Sequence, residues 1–600
     1  MNRNDRTNLI RRISEIEGLT DKERSTLLGL LRKSKSYGLV WEDKPEAVED
    51  KMQEELPVLK EVKERALISK DKDAPNHILI EGDNLEALTT LAYTHAGRID
   101  VIYIDPPYNT GNKDFVYNDS YVDTEDSYRH SKWLSFMSRR LKIAKQLLSD
   151  KGVIFISIDD NEQAQLKLLC DEVFGSSNNV GTIIWKKKTN GNNMGLIPPV
   201  HDYILCFAKS IENLSNAYFG LPLSEEYIKK TYKNPDNDPR GPWTTTDLSA
   251  NHKGPYFPIT NPITGEIHYP SQGRYWVFNE KEVLRRIKEG LIIFGKTGKS
   301  KPVQKVFLKN RELKKLPVDS WWDKHGLNED GTIELYTIFG ENKVFIHPKP
   351  SILIKHLLTL SSTENSTVLD FFAGSGTTLH ATMQLNAEDG GHRQCILVTN
   401  NENGICENVT YERNKRVIQG YTTPKGEKVE GLAGNNLRYY KTDFVLREPN
   451  NRNKRAIVAA ATDLLCIKNN VYKEQTAFGE RKLKPTAARY FDDGKTQMLI
   501  IYNELTVDAF VKVIDEMEVA GRIKVYVFSN NRYAYNDNFE PVAEKVEVCA
   551  LPAAIYDAYK KVIKPRKHNN NASADVPFAE ETSIETKQGT LNFKEEGGEA

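Results

Sequence analysis

Residues 98–111 read Arg-Ile-Asp-Val-Ile-Tyr-Ile-Asp-Pro-Pro-Tyr-Asn-Thr-Gly, and the fold turns on this stretch. Val101 to Ile104 is an apolar run, β-branched at three of four positions, with charge before it and two prolines after it. A short run of that kind reads as a strand buried on both faces, the habit of a parallel sheet. Proline has no N–H to give a ladder and drives the residue before it into an extended conformation, so the strand stops at Asp105. Asp105, Pro106, Pro107 and Tyr108 then stand at the carboxyl end of a strand, where open α/β sheets bind ligands. The loop offers a carboxylate, proline carbonyls and an aromatic face. That set suits a flat base with an exocyclic amine: two acceptors for the amine protons and one ring to stack on. Taken alone, Asp-Pro-Pro-Tyr reads equally well as a surface turn.

A second stretch weighs against the surface turn. Thr367 to Thr378, Thr-Val-Leu-Asp-Phe-Phe-Ala-Gly-Ser-Gly-Thr-Thr, is another apolar strand, an Asp, and a glycine turn opening a helix. Gly374 and Gly376 let the backbone bend and approach a ligand closely. A dinucleotide fingerprint needs a third glycine three residues beyond the second; that position is Leu379, which argues against NAD. With these two stretches the sequence resembles amino-methylating DNA methyltransferases. Asp105 to Tyr108 matches their catalytic motif, and Phe372 to Gly376 matches their cofactor loop, Phe-x-Gly-x-Gly. The catalytic motif comes first, as in their β-class arrangement, a circular permutation of the usual order.

The resemblance implies an α/β, Rossmann-like S-adenosylmethionine-dependent methyltransferase fold: a mostly parallel, circularly permuted sheet with an inserted target-recognition region and a small C-terminal α/β module. It implies a cofactor site at Asp370, Phe372, Ala373, Gly374, Ser375, Gly376 and Thr377, with Asp370 facing the cofactor's amino group. Lys349 and Pro350, in Phe-Ile-His-Pro-Lys-Pro, match a lysine–proline motif that holds the methionine end. Asp83 would approach the adenine ring of the cofactor; it also reads as a helix N-cap, and both roles can hold. Glu402 is the acid nearest the place where the family holds the ribose hydroxyls. His347, a lone histidine before a proline, reads as structural.

Six hundred residues exceed one core, so two or three domains are expected. With 83 basic and 83 acidic side chains, global charge does not announce nucleic acid, and any DNA surface must be a local patch. None of the six cysteines has Cys-x-x-Cys spacing, which indicates neither a zinc site nor a disulfide framework, and no other metal site is read. No apolar run approaches the roughly 18 residues of a membrane span. No signal-peptide pattern stands at the N-terminus. A cytoplasmic protein is expected.

Along the chain, residues 1–70 read as a charged helical segment, with Ile10, Ile13, Ile16 and Leu19, then Leu27, Leu28, Leu30 and Leu31, marking an amphipathic pair. A catalytic half spans 71–211. In it, the loop from Asn112 to Tyr128 carries Phe115, Tyr117 and Tyr121; it is long for a βα connection and reads as a mobile loop closing on substrate. Asp159 and Asp160 read as a helix cap rather than an acid–base pair. Lys186, Lys187 and Lys188 follow a strand at the border of the expected DNA cleft. From 212 to 340 the periodicity weakens, and Lys296, Lys299, Lys301, Lys305, Lys309, Arg311, Lys314 and Lys315 stand almost unopposed by acids. Basic residues among aromatics, between two halves of one catalytic fold, read as target recognition, with Lys299, Lys301, Lys305 and Lys309 on phosphates. The alternative is a loop-rich insertion with no DNA contact. A cofactor half follows at 341–445, an α/β module without site chemistry at 446–563, and an Asn-, Glu- and Gly-rich tail at 564–600 that reads as disordered. In the tail, Gln588, Leu591 and Phe593 have the spacing Gln-x-x-Leu-x-Phe, similar to peptides that dock on the bacterial sliding clamp; folding back on the body is the alternative.

Tyr37 to Glu42 and Asn435 to Phe444 extend the resemblance to the modification subunits of type III restriction–modification systems, over roughly 37–560. That implies double-stranded DNA as substrate, a homodimer, and a separate helicase–nuclease restriction subunit as partner, since neither a Gly-x-x-x-x-Gly-Lys-Ser/Thr loop nor an evident nuclease motif is present. The implied reaction is methyl transfer from S-adenosylmethionine to the N6 amine of an adenine flipped out of the duplex, with Tyr108 stacked on it. Two rivals stand beside it. One is methylation of the exocyclic amine of cytosine, which the family associates with Ser rather than Asp at the first catalytic position. The other is a DNA-recognition subunit that mainly guides a nuclease.

Overall fold

The computed structural model describes residues 41–559, apart from 113, 119, 192–195, 215–217, 296–299, 311–314, 448–450, 520, 530–534, 552–554 and 556. The helical pair expected before residue 41, Lys299, and the tail with Gln588, Leu591 and Phe593 lie outside the described residues. No helix among the described residues is long and apolar enough to cross a membrane.

Ten strands build the main sheet: β1 (Glu55–Glu61), β2 (Asn76–Glu81), β3 (Ile99–Ile104), β4 (Leu148–Ile158), β5 (Asn179–Lys186), β6 (His201–Ala208), β7 (Trp321–Trp322), β8 (Thr367–Asp370), β9 (Gln394–Thr399) and β10 (Asn436–Leu446). Across the sheet they run β1-β10-β2-β9-β8-β3-β4-β6-β5-β7. Every pair from β10 to β4 is parallel. Antiparallel partners close both sides, β1 on β10, and β6 on β4 and β5.

Helices that pack around this sheet include α1 (Ala47–Glu54), α2 (Asn84–Thr94), α3 (Arg129–Leu147), α4 (Gln163–Cys170), α5 (Asn328–Phe339), α6 (Ser351–Ser361), α7 (Thr377–Asp389), α8 (Glu412–Gln419) and α9 (Asn451–Asn469). The apolar run of β3 divides between two cores, because successive side chains of a strand point to opposite faces. Ile102 and Ile104 join Leu88, Leu91, Met137, Leu141 and Leu166 of α2, α3 and α4. Val101 and Tyr103 join Leu353, Leu357, Leu379 and Met383 of α6 and α7. From β3 the chain crosses through α3 to β4 on one side; from β8 it crosses through α7 to β9 on the other. The winding reverses between β3 and β8, and the crevice at such a reversal is where open α/β sheets bind ligands.

The inserted region has its own small core of Leu248, Ile259, Trp276, Val283, Ile292 and Phe294. Its three-stranded antiparallel sheet joins Ile292–Ile293, Val303–Phe307 and Trp243–Asp247. It ends earlier than the expected boundary at 340. Leu316 bridges back to Leu221, Trp321–Trp322 pairs with β5, and Ile338 of α5 enters a core of the main sheet. The loop at 112–128 also departs from expectation. Phe115 and Tyr117 are buried, Phe115 edge-on to Phe136 at 5.3 Å, and Tyr117 Oη donates to the Lys44 carbonyl at 2.6 Å. Phe115 and Tyr117 anchor it to the body, while Tyr121 is exposed.

Beyond β10 a second sheet follows: β11 (Glu474–Gln475), β12 (Ala488–Asp492), β13 (Gln497–Ile501), β14 (Ile523–Phe528) and β15 (Val546–Leu551), in that order. Leu499, Ile501, Val513 and Val525 form a core on one of its faces. On the other, Met498, Ile500 and Tyr526 merge with Ile457 and Leu464 of α9 and with Leu59 and Tyr440 of the main sheet. In packing, this segment is continuous with the body.

Candidate active site

β3 delivers Asp105 to the crevice, and Pro106 and Pro107 fix the turn that follows. The Asp105 carboxylate, 27% exposed, is held at both oxygens. Tyr108 Oη donates to Oδ1 at 2.9 Å and Lys349 Nζ to Oδ2 at 2.6 Å. Lys349 Nζ also lies 5.2 Å from the centroid of the Tyr108 ring. The indole N–H of Trp133 donates to the Pro107 carbonyl at 2.7 Å, tying the loop to α3. Asn109 takes a left-handed conformation, φ 59°, which asparagine tolerates better than most residues. Its amide nitrogen donates to Glu162 Oε1 and to the Arg129 carbonyl. Glu162 is fully buried against His130 Nδ1 at 2.6 Å, and burial pushes its carboxyl up to about 8. Trp133, Asn109 and Glu162 pin the Asp105–Tyr108 turn. Only their fold neighbours reveal this.

β8 ends at Asp370, beside β3. The expectation that Asp370 faces a cofactor meets a different arrangement. Its carboxylate, 2% exposed, turns into the glycine loop, accepting from Phe372 N at 3.0 Å and Thr378 Oγ1 at 2.6 Å. Burial pushes this carboxyl up to about 7, and the charge of Asp105 pushes the same way. Asp370 thus latches the turn in which Gly374 and Gly376 take φ 49° and 74°, values that favour glycine. Ala373, Ser375 and Thr377 complete the turn into α7. The Asn84 side-chain amide donates to the Phe371 carbonyl at 3.0 Å, stitching α2 to the loop, while Asp83 caps α2 through Leu85 N at 2.7 Å and stays partly exposed. The left-handed turn, the part-buried Phe372 and the partly exposed Asp83 carboxylate all follow the carboxyl ends of parallel strands, on the same rim of the sheet. Glu402 lies exposed on the turn after β9.

Behind the loop runs a network that the sequence did not announce. Arg413 of α8, fully buried, donates to Thr377 Oγ1 at 2.7 Å and to Glu334 Oε2 at 2.8 Å. Glu334 accepts in turn from Ser351, next to Pro350 at the start of α6. Thr377 Oγ1 donates to the Lys349 carbonyl at 3.2 Å. One ion pair, buried at its Arg413 end and 21% exposed at Glu334, therefore ties together the glycine loop, the Lys349–Pro350 turn and α8. Removing Arg413 takes away the cation at its centre and leaves Glu334 with only Ser351 and His380 as partners among the described residues. Arg413→Met is expected to lower the unfolding midpoint and to weaken cofactor binding together. Unchanged thermal melting with unchanged calorimetric affinity would contradict this account of the loop.

Of the lysines expected at DNA, Lys301 and Lys309 are exposed, and Lys186 and Lys188 partly so. Lys187 is bound to Asp202. Lys305 is corrected outright: it is 4% exposed, bonded to Asp236 and, at 3.0 Å, to Asp238. It holds the insertion together and has no face for a phosphate.

The sequence profile of the family described as DNA methylase matches residues 99–419. The type III restriction–modification enzyme StyLTI Mod subunit of Salmonella typhimurium is 38% identical over 363 residues, 56% of this chain and 54% of that protein. The EcoPI Mod subunit of Escherichia phage P1 is 34% identical over 424 residues, 61% of this chain and 64% of that one. The type II methyltransferase M.KpnI of Klebsiella pneumoniae is 34% identical over 378 residues, 58% of this chain and 87% of that enzyme. The match thus spans about half to two thirds of the type III relatives' length and most of the type II enzyme. Since the profile runs from the first residue of β3, across the Asp105 turn and the glycine loop, to the last residue of α8, more than half of the chain, this protein belongs to the DNA methylase family.

Proposed function

We propose that this chain transfers a methyl group from S-adenosyl-L-methionine to the N6 amine of adenine in duplex DNA, as the modification and specificity subunit of a type III restriction–modification system. The observation that carries the reading is the adjacency of β3 and β8, with Lys349 touching both Asp105 and Thr377 of the glycine loop. When bound, S-adenosylmethionine supplies a methyl already activated by its sulfonium. Ala373 to Thr377, Phe372, Asp83, Lys349 and Pro350 would hold it.

The chain's own residues deal with the other reactant. An adenine amine is a poor nucleophile because its lone pair is delocalised into the ring. Asp105 and the Pro106 carbonyl accept its protons and draw the nitrogen toward sp³. Tyr108, oriented by its bond to Asp105, stacks on the flipped base. Orienting two reactants so can contribute up to about 7–11 kcal/mol in favourable cases. Asp105 at the first catalytic position favours adenine over cytosine.

Lys186, Lys188, Lys301 and Lys309 are the lysines we place on phosphates. Replacing all four by Ala is expected to weaken DNA binding and to flatten its salt dependence, each lost contact lowering the log–log slope by about 0.9. An unchanged slope would move the DNA surface elsewhere. The type III relatives support a helicase–nuclease restriction subunit as partner. We place homodimerisation, and docking of Gln588, Leu591 and Phe593 on a sliding clamp, in the same reading. A labelled 583–600 peptide that fails to bind clamp at high micromolar concentration would remove the latter. Single-molecule methylome sequencing of a host expressing this chain tests base and site together; a host methylome with no new N6-methyladenine motif would contradict the reading.

A further inference from the structure

Hydrogen bonds assign the protons of the cluster that holds Asn109. Arg129 Nε always carries a proton, and it donates to His130 Nε2 at 3.2 Å. That ring nitrogen is therefore an acceptor, so His130 is neutral and its own proton sits on Nδ1. From Nδ1 it donates to Glu162 Oε1 at 2.6 Å. Gln165 Nε2, 3.4 Å from Nδ1, cannot donate there too, since a neutral imidazole has one acceptor nitrogen. Asn109 Nδ2 donates to the same Glu162 oxygen at 2.5 Å. Both donors thus fall on Oε1. The other carboxyl oxygen, Glu162 Oε2, and the other amide atom, Asn109 Oδ1, are buried and have no hydrogen-bond partner among the described residues. Glu162 is 0% and Asn109 1% exposed. Were Glu162 ionised, Oε2 would be a buried anionic oxygen and Oδ1 a buried acceptor, each without a donor, which is costly. One proton on Oε2 answers both. A protonated carboxyl and a primary amide each set one donor beside one acceptor. Two such groups that share Nδ2–H···Oε1 are therefore complementary for Oε2–H···Oδ1 as well.

We propose that Glu162 is a positioning residue, held as a neutral carboxylic acid that pairs edge to edge with the Asn109 amide and so sets the Asp105–Tyr108 turn. The proposal rests on the methyltransferase reading above and deepens it. Asn109 follows Tyr108 directly, and its bonds to Glu162 and the Arg129 carbonyl hold it at φ 59°. Tyr108 in turn orients Asp105. Burial raises the Glu162 carboxyl to about 8, against the Asn109 hydrogen bond and the charge of Arg129 on α3; Asp159, ahead of α4, pushes it up as well. Burial and the charge of Arg129 hold the His130 ring below its usual range, in keeping with a neutral imidazole. A carboxyl raised in this way keeps its proton near neutral pH and loses it as pH rises through about 8. The pair is therefore present below that pH. Above it Asn109 Oδ1 loses its donor, the turn loosens, and methyl transfer slows.

The test uses the full chain at saturating cofactor and reads kcat by tritium transfer to unmethylated duplex DNA, from about pH 6 to about pH 9.5. Calorimetry of S-adenosylmethionine runs beside it. The native kcat is expected to fall about tenfold between about pH 7 and about pH 9.5. Glutamine presents the same donor beside the same acceptor at every pH. Glu162→Gln should therefore rescue kcat near neutral pH to within about threefold of native and lose the alkaline fall. Glu162→Leu offers neither group. It should lower kcat near neutral pH about a hundredfold while cofactor affinity stays within about twofold. Asp370, raised to about 7 in the glycine loop, is present in the native and Glu162→Gln chains alike, so the difference between their profiles belongs to Glu162. The comparison of those two profiles decides even where Glu162→Leu does not fold. An alkaline fall in Glu162→Gln as large as the native one would overturn the proposal. So would a native rate flat to about pH 9.5, or a loss of about a hundredfold near neutral pH in Glu162→Gln, which would mean that a carboxylate is required. Native chain that binds the cofactor and transfers no methyl group at any pH would instead overturn the methyltransferase reading, a result distinct from any of these.

Discussion

Asp105→Ala is expected to abolish methyl transfer, leaving less than a few per cent of turnover, with the affinity for S-adenosyl-L-methionine near native. Asp105 is the carboxylate at the end of β3, and its side-chain contacts are Tyr108 and Lys349. Removing it deletes the acceptor for the amine proton and frees the Tyr108 ring from its hydrogen bond. Groups that accept or move a proton at the reacting atom contribute typically about 10²–10⁴-fold. The loss of orientation at Tyr108 adds to that. The glycine loop is latched separately, by Asp370, Thr378 and Arg413, so the cofactor cradle survives the substitution. Tritium transfer with parallel calorimetry reads both quantities. Turnover retained above a few per cent would sink the catalytic assignment, and a lost cofactor affinity would move Asp105 into the cradle.

Gly374→Val is expected to remove cofactor binding from a chain that still folds. Gly374 has φ 49°, where a β-branched residue is strained at a cost on the order of 1–3 kcal/mol. A Cβ there would stand 3.1 Å from Cζ of the Phe345 ring, a side chain that can yield, so the fold survives. The loop cannot keep its left-handed turn, and the added methyls fill the space of the close approach. Calorimetry of the variant, with thermal melting as the control for folding, decides. Native affinity would show that the cofactor does not approach the chain at this turn.

The parts of this fold legible in the sequence are those that local chemistry dictates. β3 and β8 carry short apolar runs, Val101–Ile104 and Val368–Leu369, each ended by Asp and a turn, and runs of that kind have few places to go except the centre of a sheet. Asp105 to Tyr108 and the glycine loop follow at once. Other features depend on pairings between residues far apart in the chain. Lys349 lies 244 residues from Asp105, and Arg413 lies 79 from Glu334. Nothing local in either pair announces the other. The same limit explains two misreadings. Lys305 looked unopposed because its acids, Asp236 and Asp238, stand 69 and 67 residues earlier. The loop at 112–128 reads as a mobile one because Phe115 and Tyr117 show no local partner, whereas Phe136 of α3 and the Lys44 carbonyl receive them. Trp321–Trp322, too short a strand to mark itself in the sequence, adds to β5 and returns the chain to the main sheet before residue 340.

The measurement that bears most directly on the central claim is nucleoside mass spectrometry of unmethylated duplex DNA incubated with the purified chain and S-adenosyl-L-methionine. The account predicts N6-methyl-2′-deoxyadenosine as the methylated nucleoside, absent when Asp105→Ala replaces the native chain. Methylation confined to the exocyclic amine of deoxycytidine, or no methylated nucleoside from a chain that binds the cofactor, would contradict it.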